Sequence, residues 1–293
     1  MVQKLIDGIF YIETMMITAL SILIFLISGG GIYLDIQGIS CNISSIKIGN
    51  WVELSDSFQD LSQITYNGQY LNGLKIGRWD IFYRKNNNKP FQLLGGGLYD
   101  EDKGSIKIGK WTEVYDGFTS QKQIIYYGEY QNGNKIGRWD IFYESILIGG
   151  GSYDQKQKSK DPISYIKVGR WIELSRRFQY VSQVTYQGDY IDGQKIGTWY
   201  TYWNWNGKNQ QIGGGYYNCY IQNEENIFSI KTGQWIELND NFNFWSQILC
   251  SGEYQNGKKV GLWSQFDLKN RNNIMYLYIL EIYLKFSKQF ECS

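Results

Sequence analysis

Polar and apolar residues alternate with a period of two in four corresponding stretches of the chain, of which the first runs from Gln63 to Tyr70. This alternation is the pattern of a β-strand that buries one face. Each stretch is followed by Asn-Gly or Asp-Gly and then by a second strand-like run, which is the strongest short-range signal of a β-hairpin. Each stretch is therefore predicted to open a hairpin, called here a B unit. The four turns are Asn72-Gly73, Asn132-Gly133, Asp192-Gly193 and Asn256-Gly257.

Two registers of the first B unit fit its sequence. A two-residue turn would place Gly68 opposite Gly77. A four-residue turn from Asn72 to Lys75 would place Gly68 opposite Trp79, and Tyr70 opposite Gly77. The second register is favoured because it lays a large ring across a glycine, whose backbone would otherwise stay bare.

Four A units alternate with the B units. Each A unit begins with three glycines and continues through a polar loop of variable length, such as Asp154 to Ser164. A phosphate-binding loop would need a following helix N-terminus, whereas each triple glycine leads into a strand-like Tyr. A backbone kink or a close approach is predicted instead. The triple glycines are Gly29–Gly31, Gly95–Gly97, Gly149–Gly151 and Gly213–Gly215.

The motif Lys-x-Gly-x-Trp occurs eight times, at intervals between 28 and 36 residues. A fixed period marks a repeat array, here of about sixteen strands. In each motif we expect Gly to make room, Trp to fill the covered face of the sheet, and Lys to mark the turn edge. The tryptophans of this predicted structural core are Trp51, Trp79, Trp111, Trp139, Trp171, Trp199, Trp235 and Trp263.

Each B unit contains the pattern Gly-x-Tyr-x-Asn-Gly-x-Lys-x-Gly-x-Trp, as from Gly68 to Trp79. In this pattern the chain resembles the MORN repeat family, and most closely the variant repeats of bacterial YwqK-type antitoxin-like proteins, over roughly residues 28–268. The resemblance implies an all-β fold, an elongated single-layer twisted antiparallel sheet of about eight repeated β-hairpins. It also implies a non-catalytic role in binding proteins and, in some members, anionic lipid.

Composition narrows the chemistry. The chain has no histidine, and its 29 basic and 28 acidic residues give a net charge of +1, which argues against a nucleic-acid partner. The absence of histidine removes the commonest general base and metal ligand. The four cysteines show no metal-binding spacing. No catalytic residue, metal or cofactor is expected.

The lysines of the eight motifs form the candidate interaction edge. They could attract phospholipid head groups or an acidic partner, with about 1 kcal/mol per lysine at an anionic surface. The alternative, favoured by the low net charge, is a solvated edge that prevents sheet aggregation, neutralised by carboxylates that include Asp80, Asp140, Glu129 and Glu253. These lysines are Lys47, Lys75, Lys107, Lys135, Lys167, Lys195, Lys231 and Lys259.

Four glutamates also recur in phase, each two residues after the Trp of an A unit: Glu53, Glu113, Glu173 and Glu237. A catalytic carboxylate pair needs two different environments, whereas a ladder of equivalent residues gives equivalent ones. Cross-strand salt bridges are therefore predicted. Three tryptophans lie outside the repeat, Trp203, Trp205 and Trp245, and are the better candidates for exposed rings that stack on sugars or bases.

The sequence divides into an apolar N-terminal segment (1–27), the repeat array (28–268) and a C-terminal cap or tail (269–293). Residues 15–34 carry no charge and are long enough to span a membrane. However, Gly29–Tyr33 are in phase with the first A unit. A membrane anchor, a signal sequence and the remnant of a degenerate repeat all remain open.

The resulting expectation is a non-catalytic scaffold for an unidentified protein partner, in the cytoplasm or attached to a membrane, with anionic lipid as a further candidate ligand. The alternative is a secreted or surface protein that binds glycans through exposed aromatic rings.

Overall fold

The computed structural model describes residues 6–7, 29–37, 43–155, 165–223 and 226–269. All regular elements in these ranges are β-strands that pair antiparallel as an open sheet. Apart from the short first strand, they number sixteen and form eight hairpins. The all-β class, the open antiparallel sheet and the number of hairpins are thus confirmed.

The chain forms two compact units, Met1–Leu147 and Ile148–Ser293. The strands of unit 1 are β1 (Ile6–Asp7), β2 (Gly30–Gln37), β3 (Ile43–Leu54), β4 (Gln63–Leu71), β5 (Leu74–Arg84), β6 (Gln92–Tyr99), β7 (Lys107–Val114), β8 (Ile124–Gln131) and β9 (Asn134–Tyr143). Strand β10 (Ile146–Gln155) begins just before unit 2. It is followed there by β11 (Tyr165–Leu174), β12 (Gln183–Ile191), β13 (Gln194–Trp205), β14 (Lys208–Asn223), β15 (Asn226–Leu238), β16 (Ile248–Gln255) and β17 (Lys258–Asp267).

The B hairpin combines a two-residue turn with a β-bulge. Leu71 pairs with Leu74 across the turn, where Asn72 and Gly73 have φ angles of 50° and 80°, as a type I′ turn requires. The predicted four-residue turn is therefore wrong. Tyr70 pairs with Lys75 and not with Gly77. The pairing then shifts by two residues, which places Trp79 over Gly68 as expected.

The glycine of the Lys-x-Gly-x-Trp motif lies at the bulge and supplies its positive φ angle. In all eight motifs its φ lies between 58° and 67°, the left-handed region that residues with a Cβ disfavour. A Cβ on Gly137 would meet no atom within 4 Å, so this glycine makes no room for a ring. The prediction that it does was wrong.

A different glycine lies under each tryptophan ring, on the preceding strand. A Cβ at these eight positions would lie 2.0–2.4 Å from an atom of the ring, so only glycine fits. These covered glycines are Gly31, Gly68, Gly97, Gly128, Gly151, Gly188, Gly215 and Gly252.

The triple glycines are sites of close backbone approach, as predicted. In β6, Gly96 has a φ of 124°, and a Cβ there would lie 2.1 Å from the carbonyl oxygen of Trp79. Its neighbour Gly95 would meet Thr112 at 2.7 Å, and Gly97 lies under the ring of Trp111. Each of the three glycines thus accommodates a different neighbour, which explains why the triplet recurs.

Loops connect each A hairpin to the following B hairpin. They lie at the ends of the strands that are far from the Asn-Gly turns. In unit 1, Phe118 is 1% exposed and packs with Ile64, Ile81 and Tyr83. The hydroxyl of Ser62 donates to the carbonyl of Phe118 at 2.6 Å and joins one loop to the next. Ser182 and Phe242 repeat this contact in unit 2 at 3.1 Å. These loops include the segments Ser55–Asp60, Tyr115–Ser120 and Ser175–Val181.

The structure bears on the two ends only in part. Gly30–Gln37 is a strand, in agreement with the repeat phase of Gly29–Tyr33. The proposed anchor or signal before it and the tail from residue 270 lie outside the described residues. Within the described residues, no helix has the length and apolarity needed to cross a membrane.

Candidate functional site

Tryptophan and tyrosine rings alternate in a ladder on one face of each unit, called here the Trp face. Neighbouring rings meet edge to face, with centroids 4.9–6.2 Å apart, which is the favoured geometry for aromatic pairs. Seven of the eight repeat tryptophans are at most 6% exposed. The eighth, Trp263, is only partly buried.

Each of the eight repeat lysines folds over the ring of its own motif. The distance from Nζ to the tryptophan centroid is 3.8–4.5 Å, well within the range of a cation–π contact. The lysine stems therefore cover the rings, and their amines lie on the Trp face. The lysine side chains therefore do not extend from the turn edge as a row.

Each in-phase glutamate lies between two of these lysines, in a set called here a rung. In the first rung, Glu53 accepts from Lys47 and, at 2.7 Å, from Lys75. The hydroxyl of Tyr70 also donates to Glu53, at 2.8 Å. The other three rungs repeat this arrangement: Lys107–Glu113–Lys135 with Tyr130, Lys167–Glu173–Lys195 with Tyr190, and Lys231–Glu237–Lys259 with Tyr254. The predicted salt bridges are thus confirmed.

In the rungs the pKa of the glutamates is lowered and the pKa of three of the tyrosines is raised. Burial raises the pKa of the four glutamates, but the hydrogen bonds and charges of two lysines outweigh it and hold each pKa below the usual 4.5. Burial and the nearby carboxylate raise the pKa of Tyr70, Tyr190 and Tyr254 above 10. Near neutral pH the glutamates are therefore charged and these tyrosines are proton donors.

Stability should fall at acidic pH for this reason. A carboxyl with a lower pKa in the folded than in the unfolded state stabilises the fold above its unfolded value, and that contribution is lost as pH falls through the folded pKa. Urea unfolding measured at decreasing pH should show a steep loss of stability that begins near pH 4.5. The Glu53→Gln variant should show a shallower loss, and an equal slope would contradict the assignment.

Each rung holds two lysines and one glutamate, so one positive charge is left over. Asp80 and Asp140 do not neutralise it, because they pair with Arg78 and Arg138 on the opposite face, at 2.6 and 2.7 Å. The lysine side chains are 25–31% exposed, apart from Lys259 at 50%. The excess charge is therefore accessible to a partner.

A cleft of about 370 Å³ lies between the two rungs of unit 1. Tyr99, Lys75 and Lys107 line it, together with the exposed carboxylates of Asp56 and Asp116. Burial and the charges of Glu113 and Glu53 raise the pKa of Tyr99 to about 12. The cleft thus offers donors and acceptors together to a polar group.

The tryptophans outside the repeat have three different environments. Trp203 is 5% exposed and packs against Phe242, so the expectation that it is an exposed ring was wrong. Trp205 is half-buried and stacks on Phe244 at 4.0 Å. Trp245 is 69% exposed, and only this ring fully matches the expectation.

The fold and the rungs define a β-hairpin repeat protein. Comparisons with protein-family models and with curated proteins found no match. The resemblance to MORN repeats therefore stays a prediction. Among the residues described, no three His, Cys, Asp or Glu side chains are grouped so that they could hold a metal ion.

Proposed function

We propose that the protein is a non-catalytic scaffold whose rungs bind an acidic segment of a partner protein. The observation that carries this proposal is the composition of the rung. In all four rungs two lysines share one glutamate, and one positive charge remains at an accessible site. The two rungs of a unit are four strands apart, or about 19 Å at the usual strand spacing.

The lysine geometry favours a protein over a lipid surface as the partner. A membrane attracts lysines that can extend to its head groups. Here each amine is held against a ring and, in every rung, against a carboxylate. An acidic side chain can reach into the face and accept a hydrogen bond from such a fixed donor, whereas a flat layer of head groups cannot follow its relief.

The equivalence of the rungs supports a binding role. A general acid and a general base need carboxyl groups whose environments push their pKa values apart. In all four glutamates the pKa shift has the same direction, and burial is opposed by two lysines. A repeated and uniform site suits a repeated or extended ligand.

Polyglutamate is a suitable probe of the rung charge. We expect a fluorescent polyglutamate peptide to bind the full chain at low ionic strength, with an affinity that falls as salt is added. Replacing Lys75, Lys135, Lys195 and Lys259 by Gln leaves each rung with one lysine and one glutamate. Fluorescence anisotropy should then show binding weaker by about tenfold or more, which corresponds to about 1.4 kcal/mol.

The matched control removes four positive charges from the opposite face, where the residue before each Trp lies. Its substitutions are Arg78→Gln, Lys110→Gln, Arg138→Gln and Arg170→Gln. This control should retain most of the affinity. An equal loss in both variants, or no binding of the peptide by the native chain, would refute the proposal. Retention of the native chain on phosphatidylserine vesicles that the lysine variant loses, without peptide binding, would favour the lipid alternative.

A further inference from the structure

Unit 2 carries a group of aromatic residues that the repeat does not require. The group comprises Tyr180, Trp205, Phe244 and Trp245 and is called here the aromatic platform. The equivalent positions of unit 1, matched by the repeat phase, hold polar residues: Asp60, Lys85, Ser120 and Gln121. Trp205 and Phe244 pack in part against the core of unit 2, whereas Tyr180 and Trp245 are mostly exposed, so core packing does not account for these two outer rings.

The platform joins two loops and one hairpin end. The rings of Trp205 and Phe244 stack at 4.0 Å with an interplanar angle of 20°. Tyr180 meets Trp205 at 6.3 Å, and Trp245 meets Phe244 at 5.9 Å, both edge to face. Rings from three separate segments thus form one continuous aromatic surface.

The backbone beneath the platform is firmly held. The amide of Phe244 donates to the carbonyl of Val181 at 2.8 Å and ties the two loops together. The amide of Trp245 donates to Asn243 Oδ1 at 2.8 Å, and Lys269 Nζ donates to the carbonyl of Trp245 at 2.9 Å. A ligand would therefore meet rings that are already in position, which lowers the entropy cost of binding.

The outer rings of the platform are open to solvent. Trp245 is 69% exposed, the highest fraction of any described aromatic side chain, and Tyr180 is 59% exposed. Aromatic rings that are clustered, exposed and anchored are typical of a binding surface, whereas single exposed apolar residues are ordinary.

The surroundings of the platform are rich in amides and include one exposed lysine, Lys208, which pairs with Trp205 across the hairpin turn. Exposed Asn206, Asn209 and Asn241 flank the rings along the chain. Two nearby cations are turned onto backbone carbonyls, Arg177 onto Asp240 and Lys269 onto Trp245. A single-stranded nucleic acid needs a positively charged groove for its phosphates in addition to stacking rings. The engagement of Arg177 and Lys269 leaves Lys208 without the row of cations that such a groove needs, which disfavours that ligand.

We propose that the aromatic platform binds the pyranose rings of a neutral oligosaccharide. The C–H face of a pyranose carries partial positive charge and stacks on the electron-rich face of an indole or phenol ring. The hydroxyl groups around that sugar both donate and accept hydrogen bonds, as the asparagine amides do. The proposal is independent of the scaffold role, because the platform and the rungs share no residue.

The test is calorimetry of the full chain with a panel of neutral hexasaccharides that contains cellohexaose, xylohexaose, mannohexaose and chitohexaose. At least one should bind, and both Trp245→Ala and Tyr180→Ala should weaken that binding by about tenfold or more. Both side chains are exposed, so both variants should have the same midpoint temperature of unfolding as the native chain. The control is Tyr127→Ala, which removes an exposed ring of unit 1 and should leave sugar binding unchanged.

Three outcomes would overturn the proposal. The first is that no hexasaccharide binds at about 10 mM, where even a weak site of about −3 kcal/mol would show heat. The second is that Tyr127→Ala weakens binding as much as Trp245→Ala does. The third is that the platform binds oligo-dT or a proline-rich peptide and none of the sugars. Polyglutamate binding should be unaffected by Trp245→Ala, so failure of this proposal is distinct from failure of the scaffold role.

Discussion

Gly128→Ala is expected to destabilise the protein by about 3 kcal/mol, the upper end of the usual cost of overpacking, because a buried ring must move. The new methyl carbon would lie 2.3 Å from the ring of Trp139, which is only 2% exposed. Urea unfolding followed by tryptophan fluorescence measures the loss.

The matched control is Gly137→Ala, which places the same methyl group at the bulge of the same hairpin. Gly137 has a φ of 58° and no atom within 4 Å of an added Cβ, so only backbone strain of about 1–2 kcal/mol is expected. Equal losses in the two variants would show that the ring does not decide the effect.

A double-mutant cycle tests the same contact from the other side. Trp139→Ala alone should cost about 3–5 kcal/mol because it empties a buried site. Once the ring is gone, the methyl group of Gly128→Ala has room, so the double variant should lose clearly less than the sum of the two single losses. Simple additivity would contradict the packing described.

Glu113→Gln is expected to cost about 3 kcal/mol, because breaking a largely buried ion pair leaves charges without a counterion. Glu113 is 16% exposed and accepts from both Lys107 and Lys135. The two amines would remain over their rings and repel each other. Unfolding at neutral pH and low salt measures this effect.

Asp140→Asn is the control for Glu113→Gln. Asp140 pairs with Arg138, which is 55% exposed, and exposed pairs contribute at most about 1 kcal/mol. Adding Lys135→Gln to Glu113→Gln should restore part of the loss, since it removes one uncompensated charge. If adding Lys135→Gln deepened the loss instead, charge balance would not be the cause.

The hairpins could be predicted because their signal is local. Alternating residues and an Asn-Gly turn fix two strands and their connection without reference to the rest of the chain. The bulge could not be predicted in this way. Glycine at position 77 can serve either a positive φ or a close contact, and the sequence is the same in both cases. Only the pairing of the two strands shows that Gly68 lies under the ring of Trp79 and that Gly77 adopts the positive φ.

The sequence predicted the glutamates of the rungs and their salt bridges, but not the full arrangement. In-phase Glu53 and its equivalents indicated salt bridges, but the sharing of one glutamate by two lysines was missed. Its signal was present, since the lysine occurs in every hairpin and the glutamate in every second one. The environments of Trp203 and Trp245 could not be separated, because both lie outside the repeat phase that assigns positions to a face.

The tryptophan–glycine contact lies within one hairpin, whereas a rung joins two consecutive hairpins. Each tryptophan covers a glycine of its own hairpin, so a single hairpin keeps this contact when it is copied or removed. Each rung joins an A hairpin to the next B hairpin, as Glu53 on β3 joins Lys75 on β5. Removing an A hairpin would leave the lysine of the next B hairpin without its glutamate, and removing a B hairpin would leave the glutamate with one lysine in place of two. The array therefore keeps complete rungs only when it lengthens or shortens by four strands at a time, the 60-residue step from Trp79 to Trp139.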